Sequence, residues 1–155
     1  MHESEIERAG AHAAATIWAQ ATGRRDGSTR SPADVLPGIE RARAVPGAVL
    51  RISRVGDEPV GFVLLVPARD ALEVRYLGVA PAAWGRGIGT RLLADVLDHA
   101  VRSGVSRIEL WVLSDNERAI AVYERAGWRR TGDAKSQIDT RRVEQRLERV
   151  IDRSG

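Results

Sequence analysis

A glycine-rich stretch, Gly85-Arg86-Gly87-Ile88-Gly89-Thr90, constrains the fold of this chain more than any other sequence feature. It follows an apolar segment ended by Pro81, and it precedes a run with apolar residues at helical spacing. Glycine has no Cβ, so backbone N–H groups in such a turn can approach a ligand closely. The N-terminus of a helix adds unpaired N–H donors and a partial positive charge, which suit a phosphate. The order of strand, glycine turn and amphipathic helix therefore predicts an anion site.

The spacing of these glycines excludes two familiar nucleotide-binding motifs. The stretch lacks the Gly-Lys-Ser/Thr ending of nucleotide triphosphatases, and it reads Gly-x-Gly-x-Gly instead of the dinucleotide-binding Gly-x-Gly-x-x-Gly. The alternative to an anion site is that the glycines only allow tight packing between the strand and the helix.

The pattern of apolar residues predicts strands and helices on both sides of the turn. β-Branched and apolar runs predict strands over residues 49–55, 59–66, 72–79 and 107–113, and Gly56-Asp57-Glu58 indicates a hairpin between the first two. Helices are predicted over residues 11–21, from Ser31 with Pro32 in the first turn, over 88–103 ended by Gly104, and over 117–126 between an Asn116 cap and Gly127.

The two ends of the chain carry weaker patterns. A short strand is predicted over residues 5–8 and a polar connection over 23–31. Residues 128–131 suggest a strand and 132–140 a polar loop. Val143, Leu147, Val150 and Ile151 fit a helical period better than alternation, and both helix and strand stay open for this segment.

Composition limits the chemistry that the chain can perform. It has no cysteine, which excludes disulfides, thiol nucleophiles and cysteine-ligated metals, and its histidines at positions 2, 12 and 99 lack metal-ligand spacing, so we expect no metal. The 24 basic residues are dispersed among 21 acidic ones, so a nucleic-acid interface is not expected. The longest apolar run, residues 60–67, is too short to cross a bilayer, and no signal segment opens the chain. These features predict a cytoplasmic protein without a membrane partner.

Two motifs about thirty residues apart are the most specific signals in the chain. The first is Tyr76-Leu77-Gly78-Val79-Ala80-Pro81 followed by Gly85-Arg86-Gly87-Ile88-Gly89, and the second is Asn116 with Ala119, Tyr123-Glu124 and Gly127-Trp128. Together they resemble the GNAT superfamily of N-acyltransferases. The resemblance covers about residues 49–130. It implies an α/β fold with a mixed, mostly antiparallel central sheet, a splayed parallel strand pair and about four flanking helices, as a single acetyltransferase domain over residues 1–155.

The resemblance also implies a reaction and its cofactor. Acetyl-CoA would be the co-substrate, and its acetyl group would pass to a primary amine of a small molecule or a protein by direct attack within a ternary complex. The alternative is a non-catalytic acyl-CoA-binding sensor or partner module. The oligomeric state is left open, with a homodimer as one option, and the acceptor amine and the acyl chain length are not identified.

Residues that match the family motifs carry the expected cofactor contacts. By resemblance, the backbone around Leu77, Gly78 and Val79 would pair with the pantetheine arm, and Asn116 and Tyr123 would lie along that arm. The diphosphate would be held by the glycine turn together with the residue before it. These residues are Trp84, Gly85, Arg86, Gly87, Ile88, Gly89 and Thr90. The family usually has Arg or Gln where this chain has Trp84, so the tryptophan either changes the loop or packs over the cofactor; both interpretations stay open.

Acyl transfer to an amine needs a proton for the departing thiolate and a group that accepts the amine proton. The resemblance implies Tyr123 as the acid, and the alternative is a core tyrosine with a satisfied hydroxyl. Glu73 is the candidate base and Glu109 a weaker substitute, although a solvated surface charge is the commoner role for such a glutamate. A backbone amide near Leu77 would stabilise the oxyanion.

Acceptor selection is expected to fall to the helical N-terminal third and the late polar loop. Trp18, Asp26, Asp34 and Asp139 could meet a cationic amine there by stacking or by charge. For each of them, ordinary packing or solvation is the competing explanation.

Overall fold

The computed structural model describes residues 3–136 and 142–152, with only the backbone of residues 3–8. Four helices and six strands follow one another along these residues, and the strands are hydrogen-bonded in the order β1-β2-β3-β4-β6-β5. The elements are α1 (Glu3–Asp26), α2 (Pro32–Arg43), β1 (Val49–Val55), β2 (Glu58–Ala68), β3 (Ala71–Val79), α3 (Ile88–Ser103), β4 (Arg107–Leu113), α4 (Glu117–Arg125), β5 (Arg129–Ser136) and β6 (Val143–Val150). The predicted α/β fold, with its mixed sheet and four helices, is confirmed.

The residues group into two compact units. The first comprises Met1–Val66 and Arg75–Leu92, and the second Pro67–Val74 and Leu93–Gly155. Both β3 and α3 therefore begin in one unit and end in the other. The assignment of residues 1–155 to a single acetyltransferase domain stays a prediction.

The first unit contains α1, α2, the β1–β2 hairpin and the C-terminal part of β3. The hairpin is antiparallel, with Val49 opposite Leu65 and Val55 opposite Glu58. Its apolar core joins the two helices to β2, since Ala14, Ile39 and Phe62 are fully buried together. The start of α2 is fixed by the side chain of Ser31, which accepts a hydrogen bond from the amide of Ala33.

The second unit is built around β4, which has a neighbour on each side. It pairs in parallel with β3 over three residue pairs, from Ala71–Arg107 to Glu73–Glu109, and in antiparallel with β6 from Arg107–Val150 to Leu113–Glu144. The parallel ladder ends at Glu73, although β3 continues to Val79. This short ladder agrees with the expectation that the parallel strands splay.

The predicted strand over residues 5–8 is wrong, because those residues belong to α1, which also runs through Gly23 to Asp26. The alanine-rich sequence favours helix strongly enough for α1 to continue through both Gly10 and Gly23. The residues after the helix turn back toward its last turn, and the amide of Ser28 donates a hydrogen bond to the carbonyl of Gly23 at 2.9 Å. Gly27 ends the helix in the left-handed region, with φ of 67°.

The C-terminal segment, for which helix and strand both stayed open, is a strand and does not follow the helical period, because residues 143–150 form β6, which pairs with β4 on one side and β5 on the other. Two of the four residues that suggested a helical period, Val143 and Val150, are 42% and 50% exposed, so they form no buried stripe. β5 extends to Ser136, into the predicted polar loop, and residues 137–140 lie outside the described residues.

Candidate active site

The glycine turn adopts a backbone conformation that only glycine takes without strain. Gly85 and Gly87 have φ of 81° and 77°, in the left-handed region. A Cβ at either position would meet no atom within 4 Å, so these glycines serve the conformation of the turn and not close packing. The packing alternative therefore does not explain Gly85 or Gly87.

The turn leads directly into α3 and leaves its first amides without intrahelical partners. The first helical hydrogen bond runs from the amide of Arg91 to the carbonyl of Gly87 at 3.0 Å. The N–H groups of Ile88, Gly89 and Thr90 precede that bond and are available to an anion. The side chain of Ile88 is buried and fixes the start of the helix, whereas Arg86 and Thr90 are exposed.

A tight approach between α3 and β2 explains a glycine outside the turn. A Cβ on Gly61 would lie 2.9 Å from Cγ2 of Ile88 and 3.3 Å from Cδ1 of Leu92. The first turns of α3 therefore rest on the backbone of β2, which holds the N-terminus of the helix in a defined place within the first unit.

Trp84 precedes the turn and reaches back to β3. Its indole Nε1–H donates a hydrogen bond to the carbonyl of Val79 at 2.8 Å. Val79 is the last residue of β3, the strand expected to contact the pantetheine arm. Nothing in the sequence pattern signalled this contact, because the bond joins residues on either side of a short 3₁₀ turn, Pro81–Ala83.

The end of β3 is packed closely on one face. Gly78 is buried, and a Cβ there would lie 2.9 Å from Cε1 of Phe62 and 3.3 Å from Cε3 of Trp18. Tyr76, two residues earlier, meets Trp18 edge to face with ring centroids 5.1 Å apart. Leu77 and Val79 alternate with these residues and are half-buried. Sequence reasoning assigned no role to the Tyr76 side chain.

The second unit holds the other expected contacts. The Oδ1 atom of Asn116 accepts a hydrogen bond from the amide of Ala119 at 3.3 Å and caps α4. Tyr123 is half-buried on α4, with its ring 5.7 Å from that of Trp128. Burial raises the pKa of Tyr123 to about 12. The side chain is a neutral phenol at physiological pH, and it holds its proton more tightly than an exposed tyrosine does.

The two candidate bases differ in their surroundings. Oε2 of Glu109 accepts hydrogen bonds from Arg146 and, at 3.3 Å, from Nε of Arg107. The Glu109 carboxylate is therefore paired with two guanidinium groups. Glu73 is half-buried and lies opposite Glu109 at the last pair of the parallel ladder.

The residues considered for acceptor binding have structural partners. Trp18 packs against Phe62 and Tyr76. Asp26 pairs with Arg25 at 2.9 Å, and Asp34 accepts a hydrogen bond from the amide of Ser31 at 3.3 Å as part of a capping box. Asp139 lies outside the described residues.

The expected site residues fall into two sets. The first unit contains the end of β3, Leu77 to Val79, and the segment from Trp84 to Thr90. The second unit contains Glu73, Asn116 and Tyr123. Among the residues that the structure describes, no group of three potential metal ligands occurs, and no helix is long and apolar enough to span a bilayer.

Comparison with known proteins gives matches in both sequence and fold. Residues 15–128 match the model of a family described as Acetyltransferase (GNAT) family. Mycothiol acetyltransferase of Corynebacterium efficiens is 40% identical over 74 residues, which are 47% of this chain and 25% of that protein. N-alpha-acetyltransferase RimI of Mycobacterium tuberculosis is 50% identical over 60 residues, which are 39% of this chain and 36% of that protein. The chain thus spans well under half the length of these relatives.

Solved structures share the fold at low sequence identity. The ribosomal-protein-S18-alanine N-acetyltransferase of Escherichia coli superposes with a TM-score of 0.71 at 17% identity, over 100% of this chain and 93% of the other. An aminoglycoside 6′-N-acetyltransferase complexed with coenzyme A gives a TM-score of 0.71 at 17% identity, over 94% of this chain and 93% of the other.

Proposed function

Because the chain belongs to the GNAT acetyltransferase family, we propose that it transfers an acetyl group from acetyl-CoA to a primary amine of a small molecule or a protein. The observation that carries the proposal is the left-handed turn at Gly85 and Gly87, which opens directly onto the first amides of α3. A turn with this conformation, in which the Cβ positions of both glycines face open space, suits a diphosphate.

In this proposal the first unit binds the cofactor. The amides from Arg86 to Thr90 hold the diphosphate of acetyl-CoA, and the positive end of the α3 dipole adds to their attraction. The backbone of Leu77 and Val79 pairs with the pantetheine arm, which places the thioester along β3. The exposed guanidinium of Arg86 adds positive charge beside the same anion.

The residues of the second unit supply the proton transfers. The amine nitrogen forms a bond to the thioester carbonyl carbon, and the resulting oxyanion is stabilised by a backbone N–H near Leu77. The carbon–sulfur bond then breaks, and the phenol of Tyr123 gives its proton to the departing thiolate. Glu73 accepts the proton that the attacking amine loses, directly or through a water molecule. Asn116 contacts the pantetheine arm through its amide nitrogen.

The acceptor is proposed only as a class. Two relatives with matching segments are named for mycothiol acetylation and for N-alpha-acetylation, which supports amines of either small molecules or proteins. Many unrelated acceptors are served by one scaffold, so the fold does not choose between them. We propose a cytoplasmic location, where acetyl-CoA is available.

The test is release of CoA in the presence of candidate amines. The chain contains no cysteine, so a thiol-reactive dye reports CoA without a background from the enzyme. We expect acetyl-CoA-dependent release with at least one member of a panel of aminoglycosides, polyamines, amino acids and N-terminal peptides. Saturable CoA binding by calorimetry without turnover on the whole panel would contradict an enzymatic role, and no binding at millimolar CoA would also remove the cofactor assignment.

A further inference from the structure

We propose that Trp84 is a positioning residue, which fixes the spacing between the phosphate-binding turn and the end of β3 through its hydrogen bond to Val79. This inference rests on the proposed function. It assigns to Trp84 an action through the protein backbone and not through contact with the cofactor.

Backbone hydrogen bonds fix the segment between β3 and the turn as far as Trp84. The amide of Ala80 donates to the carbonyl of Val60 on β2 at 2.8 Å, and the amide of Ala83 donates to the carbonyl of Ala80 at 2.8 Å. The amide of Trp84 itself donates to the carbonyl of Pro81 at 3.2 Å. Beyond Trp84 comes Gly85, whose left-handed backbone has no neighbouring atom at its Cβ position. These bonds connect Trp84 to the end of β3 through consecutive backbone contacts.

The indole of Trp84 adds a side-chain hydrogen bond that joins the two ends of this segment. Nε1 of Trp84 and the carbonyl oxygen of Val79 are 2.8 Å apart, the usual length for a good N–H···O bond. Indole has one donor and no acceptor, so this bond uses its entire hydrogen-bonding capacity. An indole engaged in this way cannot donate to a phosphate oxygen, whereas it can hold the start of the turn against the end of the strand.

The chemistry of CoA makes that spacing important. Pantetheine and the diphosphate are covalently joined, so a protein that binds both must present two segments at a matching distance. When the two segments are already fixed, binding of one half places the other half without a further ordering cost. The bond from Trp84 should therefore strengthen binding of the whole cofactor more than binding of either half.

The experiment compares Trp84→Phe with the parent protein. Phenylalanine places an apolar aromatic ring at this position but has no N–H donor in its side chain. Calorimetry should show CoA binding weakened about three- to tenfold, the range expected for loss of one hydrogen bond. Inhibition by 3′-phospho-ADP and kcat/KM with S-acetylpantetheine should stay within about twofold of the parent. With acetyl-CoA, KM should rise while kcat is unchanged.

The matched control is Trp111→Phe in the second unit. Trp111 is half-buried on β4 beneath Lys135, whose Nζ lies 4.3 Å from the ring centroid, so the substitution removes an indole N–H far along the sequence from the turn. We expect this variant to bind CoA as the parent does.

The outcomes separate this inference from the proposed function. If the parent does not bind CoA, the proposed function fails. If the parent binds CoA and Trp84→Phe binds equally well, or loses affinity for 3′-phospho-ADP and S-acetylpantetheine to the same extent, the positioning role is refuted. A second measurement needs no variant of Trp84. In the parent, the indole N–H of Trp84 should stay protected from hydrogen exchange when CoA is bound, and its faster exchange in the complex would also refute the role.

Discussion

At the scale of single residues, the phenol of Tyr123 shows how burial strengthens the hold of a side chain on its proton. A pKa of about 12 keeps the proton on the hydroxyl throughout the physiological range. The same chain holds a second tyrosine, Tyr76, whose pKa burial also raises. The two phenols lie in different units and have different aromatic neighbours, Trp128 for Tyr123 and Trp18 for Tyr76.

Replacing Tyr123 by phenylalanine should lower kcat by about 10²-fold or more, the usual contribution of a positioned proton donor, while the KM for acetyl-CoA changes less than about twofold. Steady-state kinetics at saturating amine measure both values. Tyr76→Phe is the matched control and should retain kcat. Equal losses of kcat and of cofactor affinity in Tyr123→Phe would show that the hydroxyl acts in binding or folding instead.

The raised pKa values predict how the protein responds to alkali. A raised pKa means that the folded state favours the neutral phenol, so this part of the stability is intact below about pH 10, where tyrosine ionises in an unfolded chain, and is lost as the pH rises toward the folded-state values. Phenolate absorbance should therefore appear at higher pH in the native protein than in guanidinium. Tyr123→Phe should lose less stability than the parent between about pH 10 and 12. If phenolate absorbance rose at the same pH in the native protein and in guanidinium, the raised tyrosine pKa values would be contradicted.

At the scale of elements, helix caps are the features that the sequence predicts best. Ser31 and Asn116 cap the helices that they were expected to cap, and Gly104 and Gly127 follow their helices with φ of 80° and 94°. These signals are local, since a cap is formed by residues a few positions apart. By contrast, the strand at 143–150 depends on pairing with β4 and β5, and no local pattern reports such partners.

Asn116 allows its two proposed roles to be separated. Its Oδ1 atom accepts the hydrogen bond of the cap, and its amide nitrogen carries the N–H donors that are proposed to serve the cofactor arm. Asn116→Ala should lower the free energy of unfolding by about 1 kcal/mol, because the cap is lost. Asn116→Asp should keep that stability and yet bind CoA more weakly, since aspartate retains an acceptor but has no N–H. Unchanged CoA affinity in the aspartate variant, measured by calorimetry, would leave Asn116 as a cap alone.

Gly78 offers a test of packing beneath the proposed arm-binding strand. Gly78→Ala should destabilise the protein by about 1–3 kcal/mol, because the new methyl group would lie 2.9 Å from Phe62. Chemical denaturation measures the change. A variant as stable as the parent would mean that Phe62 and Trp18 can shift without cost.

At the scale of the whole molecule, the fold class and the position of the glycine turn were predictable, whereas the bond between Trp84 and Val79 was not. The family motifs lie on contiguous stretches with strong local signals, from residues 76–81 and 85–89. The indole contact depends on the path of the chain through Pro81–Ala83 and on one rotamer, neither of which the sequence pattern reports. The ion pair between Glu109 and Arg146, 37 residues apart, is likewise a contact that no local pattern reports.

Cofactor binding should be visible in the stability of the entire chain. A ligand that binds only the folded state stabilises it by about 2.7 kcal/mol at a hundredfold excess over its Kd. CoA should therefore raise the melting temperature by several degrees. Adenosine, which lacks the diphosphate, is the control ligand and should produce a smaller shift. Equal shifts with both ligands would indicate that the diphosphate is not what the turn binds.

The position of β6 has a consequence for how the protein is made. Although it is the last strand to be synthesised among those described, β6 is inserted between β4 and β5, which precede it in the chain. During translation β4 and β5 leave the ribosome before β6. Until β6 emerges, the edges of β4 and β5 that pair with it have no strand to bind. The second unit should accordingly be the late-forming part of the nascent chain, and the stage at which a chaperone would find exposed strand edges.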